Sequence, residues 1–109
     1  MEMDKKYKKL LEKAPAEVLV VAEKLFENAV KHEKMVAEEW NEPMSDRIYR
    51  FYIDEKEGNW TIGDGLDRIG YLFFENNTWF YQACYGELKK LKHGFEEALG
   101  MASIFFVDA

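Results

Sequence analysis

Residues 69–85 read Ile-Gly-Tyr-Leu-Phe-Phe-Glu-Asn-Asn-Thr-Trp-Phe-Tyr-Gln-Ala-Cys-Tyr, and this stretch decides the fold. Asn76-Asn77 tolerates the positive φ angles of a two-residue type I′ turn, and the runs on either side are aromatic and apolar, so the segment reads as a β-hairpin. The turn fixes the pairing: Phe73 opposes Phe80, Tyr71 opposes Gln82, Phe74 opposes Trp79 and Leu72 opposes Tyr81. Side chains alternate across a strand. Ile69, Tyr71, Phe73, Phe80 and Cys84 therefore share one face, and Leu72, Phe74, Trp79, Tyr81 and Tyr85 share the other. Both faces are apolar, so each needs a cover.

Working outward on the N-terminal side, residues 47–53 alternate Arg47, Tyr49, Phe51 and Ile53 with Ile48, Arg50 and Tyr52, the period of a strand. A polar turn over 54–59 leads to a second short strand around Trp60 to Ile62, and Gly63-Asp64-Gly65 opens a loop into the hairpin. Four consecutive antiparallel strands make a meander. Ahead of it, residues 16–40 carry the strongest helical period in the chain: Val18, Leu19, Ala22, Leu25, Phe26, Ala29, Val30, Val36 and Trp40 fall on one arc, with Glu23, Lys24, Glu27, Lys31 and Lys34 opposite. Residues 4–13 form a shorter amphipathic helix, which Ala14-Pro15-Ala16 ends. After Gly86 the helical spacing returns at Leu88, Leu91, Phe95, Ala98, Ala102 and Phe105. The glycine at 94 favours a break there and a helix beginning at Phe95, with a terminal strand over 104–107 as the competing reading.

The fold class is thus α+β, helix-helix-β-β-β-β-helix, a four-stranded antiparallel meander against a long N-terminal helix and a C-terminal helix. Its 109 residues are the length of one domain, 1–109, able to build a core without metals or disulfides. The single cysteine forms no internal bridge and the Met-Glu-Met-Asp-Lys-Lys opening lacks a signal-peptide core, which point to a reducing, cytoplasmic setting. The longest apolar run, Val18 to Ala22, is far short of a membrane span. A net charge of −6 disfavours direct nucleic-acid binding, because phosphate neutralisation needs a basic patch. Lysines at 5, 6, 8, 9 and 13 read as a solvated helix face. Acidic clusters at Glu38, Glu39, Glu42 and Asp46, and at Asp54, Glu55 and Glu57, suit a partner with a basic surface.

Motifs for chemistry are sparse. One Cys with His32 and His93 does not make a zinc site, the 54–58 segment lacks the ligands of a calcium loop, and no phosphate-cradling glycine run is present. Nothing calls for a cofactor. Cys84 sits mid-strand beside Phe73 and Phe80, where a packed, inert thiol is the expectation. Glu33 falls within the apolar arc of residues 16–40, with His32 at its edge. It is a solvated residue if the core ends before it, one half of a buried pair with Arg47, Arg50 or Arg68, or a carboxylate with a raised pKa serving as a base.

Two functional expectations follow. In the first, helices cover one sheet face and leave Trp60, Leu72, Phe74, Trp79 and Tyr81 as a partner-binding surface on a small acidic non-enzymatic protein, of the general character of inhibitors, immunity proteins and anti-defence proteins. The partner is another protein or a second copy forming a homodimer. In the second, the long helix and the sheet enclose an aromatic pocket with His32, Glu33 and Tyr71, serving small-molecule binding or catalysis.

Overall fold

The computed structural model describes residues 3–43, 50–65 and 68–107. Helices α1 (Lys5–Leu11) and α2 (Ala16–Glu39) precede strands β1 (Phe51–Lys56), β2 (Asn59–Asp64), β3 (Gly70–Glu75), β4 (Thr78–Ala83) and β5 (Leu88–Lys90), and helix α3 (Gly94–Ile104) follows. The class is α+β, and the strands form one antiparallel sheet in chain order. Asn76 and Asn77 take φ angles of 49° and 60°, and all four expected pairs across the hairpin are present.

Two boundaries differ from the sequence reading. The polar segment after Ile53 is mostly strand, because Glu57-Gly58, with φ of 55° and 83°, is a second tight turn of the same handedness. Much of the expected first strand, including Arg47 and Tyr49, lies outside the described residues. The sheet also has five strands rather than four. After Gly86 the chain does not start a helix but pairs Leu88, Lys89 and Lys90 with Gln82, Tyr81 and Phe80. That pairing satisfies backbone groups that β4 would otherwise leave at a sheet edge. Leu91 then turns into the core, its N–H donating to the Trp79 carbonyl at 2.9 Å.

The helices lie on one side of the sheet. Phe51, Ile53, Trp60, Ile62, Leu72, Phe74 and Trp79 project from the inner face and are buried with Val18, Val21 and Leu25 of α2 and Ala98 and Ala102 of α3. Tyr7 of α1 and Phe26 of α2 both pack edge-on to Phe51. The arc on α2 stops burying residues after Ala29, and Trp40 at its end is 69% exposed. Residues 105–107 form no strand: Phe105 and Phe106 fold into the core and Val107 stays outside. The side-chain amide of Asn28 on α2 donates to the carbonyls of Ala102 and Ser103 at 2.9 and 2.7 Å, which fastens the last turn of α3.

Candidate functional site

The side of the sheet away from the helices is the aromatic surface of the molecule. Register places its side chains in two rows, Tyr52–Gly63–Tyr71–Gln82–Leu88 and Asp54–Thr61–Phe73–Phe80–Lys90. Tyr52, Tyr71, Phe73 and Phe80 are half-buried, and Leu88 is 55% exposed. No helix among the described residues packs on them. The Tyr52 and Tyr71 rings meet edge-on at 5.9 Å, and Tyr71 and Phe73 lie 6.3 Å apart.

Gly63 makes this arrangement possible. A β-carbon at that position would come within 2.6 Å of Tyr71 Cδ1, so only glycine lets the Tyr71 ring lie across β2 and reach Tyr52. The result is a face whose aromatic rings hold one another in place before any partner arrives. Burial, and then the nearby Asp54 carboxylate, raise the Tyr52 phenol above its ordinary pKa. Its charges are balanced: Asp54 and Glu75 against Lys56 and Lys90, all exposed.

A polar cluster sits on the other side, at the end of the sheet where β1 begins. Asp64 is fully buried, and its carboxylate accepts from Arg50 Nε at 3.3 Å and Nη2 at 2.9 Å and from the backbone N–H groups of Arg68 and Ile69 at 3.1 and 3.0 Å. These donors engage both of its oxygens, so it anchors the β2–β3 connection. Arg50 Nη1 lies 3.1 Å from His32 Nε2, which must accept, so the imidazole is neutral with its proton on Nδ1. Burial and then the Arg50 charge lower the His32 pKa. The Phe106 ring lies 4.9 Å from the Arg50 guanidinium and stacks on His32 at 6.0 Å, held there at a φ of 71°, a strained value for a bulky residue.

These placements revise the sequence expectations. Trp60, Leu72, Phe74 and Trp79 are core residues, and Tyr81 packs edge-on to Phe105, so the surface assigned to a partner is the face that α2 and α3 cover. The aromatic face that no described helix covers is the opposite one. The pocket does not assemble either: His32 is on the helix side, Tyr71 is on the outer face, and Glu33 is partly exposed beside the cluster. Arg50 pairs with Asp64, a residue whose glycine neighbours suggest a turn, while Arg47, another of the arginines expected to pair with Glu33, lies outside the described residues. Among the described residues no group of three His, Cys, Asp or Glu side chains could hold a metal ion, and no helix is long and apolar enough to cross a membrane.

No protein-family model matches the chain, and comparison with curated proteins and with solved structures gives no match.

Proposed function

We propose that the chain is a small non-enzymatic protein-binding domain, of the inhibitor or immunity-protein kind, that docks through the outer face of its sheet. One observation carries this reading: the three helices among the described residues reach the sheet from the inner side, while Tyr52, Tyr71, Phe73 and Phe80 form an aromatic surface on the other. Tyrosine and phenylalanine held rigid by neighbours lose little conformational freedom on binding, which is why such surfaces make good contact centres. The balance of Asp54 and Glu75 with Lys56 and Lys90 favours a partner whose own surface is mixed in charge over one with a basic surface, which the acidic clusters suggest.

The test places a photo-crosslinking phenylalanine analogue at position 73, with the same analogue at the exposed, helix-side Lys31 as control, in the cell that makes the protein. Docking through the outer face gives a discrete protein adduct from position 73 alone, which the additional change Phe80→Asp removes while the far-ultraviolet spectrum stays native. Equal adducts from both positions, or none from position 73, overturn the proposal.

A further inference from the structure

The outer face is complementary to itself, and we propose that the protein it docks is a second copy of this chain. This rests on the reading of that face as a protein-binding surface and names its partner. β3 is the middle strand of five. When two such sheets pack face to face about a two-fold axis running along β3, strand order reverses while the rows stay in line, so β1 of one copy lies over β5 of the other and β2 over β4. In the second row Phe73 meets Phe73 at the centre, Thr61 lies over Phe80, and Asp54 at one edge lies over Lys90 at the other. In the first row Tyr71 meets Tyr71, Gly63 lies over Gln82, and Tyr52 covers Leu88, the exposed apolar residue of β5.

Each off-axis contact occurs twice, so the dimer has two Asp54–Lys90 pairs at its rims and an aromatic centre. The crossing angle of about 30° that twist imposes on packed sheets tilts the axis by roughly half that from β3, an offset the long Lys90 side chain spans. One contact opposes association. Glu75 also lies on β3 and faces its own copy, and at the exposed hairpin end the two carboxylates repel through water.

Five strands about 4.8 Å apart and up to six residues long at about 3.4 Å per residue give a footprint of roughly 24 by 20 Å on each copy, or about 1,000 Å² for the pair. That is the low end of specific interfaces and corresponds to a reversible dimer. The test is sedimentation equilibrium of the intact chain from about 1 µM to about 1 mM. Mass rises from monomer to dimer with concentration, Phe73→Asp abolishes the rise, and Asp54→Lys or Lys90→Asp alone weakens association about tenfold. Asp54→Lys combined with Lys90→Asp restores it, and Glu75→Gln tightens it beyond the starting protein. A dimer that ignores Phe73→Asp, or a charge exchange that fails to restore association, overturns the proposal. A chain that stays monomeric at about 1 mM while position 73 still cross-links to a different protein overturns self-pairing and leaves the docking reading standing; a monomer with no adduct overturns both.

Discussion

His32 ties the polar cluster to pH. Its Nε2 must stay unprotonated to accept from Arg50, and among the described residues the other charges facing it are Glu33 and Asp64. Because burial and Arg50 lower its pKa in the folded chain, the unfolded chain binds the extra proton first as pH falls. The stability tied to neutral His32 is therefore full above about pH 6.5, the ordinary imidazole value, and is lost as pH falls from there through the lowered native value. His32→Gln keeps an acceptor for Arg50 and does not titrate. Urea unfolding between about pH 7.5 and 5 is expected to show a smaller loss of stability in the variant than in the parent; parallel curves would show that His32 contributes nothing to the pH dependence. None of this is legible from residue type. His32 and Glu33 are neighbours on one helix, and which of them meets an arginine depends on the position of β1, set by pairing far along the chain. Asp64 hid between two glycines for a related reason: the flexibility that suggests a turn also lets a buried carboxylate gather the amides of Arg68 and Ile69.

At the scale of elements, the hairpin was readable down to its register because Asn76-Asn77 admits one tight turn, and alternation then sorted the side chains correctly into two sets. Which set faces the helices was not decided by the hairpin, where both sets are aromatic. β2 holds the answer: Trp60 and Ile62 alternate with Asn59, Thr61 and Gly63, so only one of its faces is apolar, and its pairing with β3 carries that choice to Leu72 and Phe74. β5 escaped notice because Leu88, Leu91 and Phe95 fit helical spacing by coincidence, whereas a three-residue strand is too short to show a period. The turn between β1 and β2 is improvable. Glu57 holds a φ of 55° where Asn or Gly is preferred, so Glu57→Asn is expected to stabilise the chain by about 0.5–1 kcal/mol. Thermal unfolding should then move up by a few degrees. An unchanged or lower midpoint would show that the Glu57 side chain gains as much from its surroundings as the backbone loses.

Across the whole molecule, the meander is built from neighbours in sequence, and its long-range closure comes from α2 meeting α3. Asn28 and Ala102 are 74 residues apart, and their hydrogen bond ties the early helix to the end of the chain over the inner sheet face. The core on that face needs both helices, so secondary structure and tertiary packing should be lost together in one transition. The tryptophans allow this to be seen. Trp60 and Trp79 are 3% and 1% exposed in the shared core, with the Trp79 indole N–H buried and lacking a hydrogen-bond partner, while Trp40 stands 69% exposed beyond it. Light emitted by an indole shifts to shorter wavelength in an apolar, unrelaxing environment, so the native protein should emit as two components. Iodide should quench the red one alone. Trp40→Phe is expected to remove that component and leave the blue emission and the unfolding midpoint in place, whereas residual quenching in the variant would mean that the inner face admits solvent. The burial that removes Trp60 and Trp79 from any contact surface thus turns them into an internal optical gauge of whether the sheet keeps its cover.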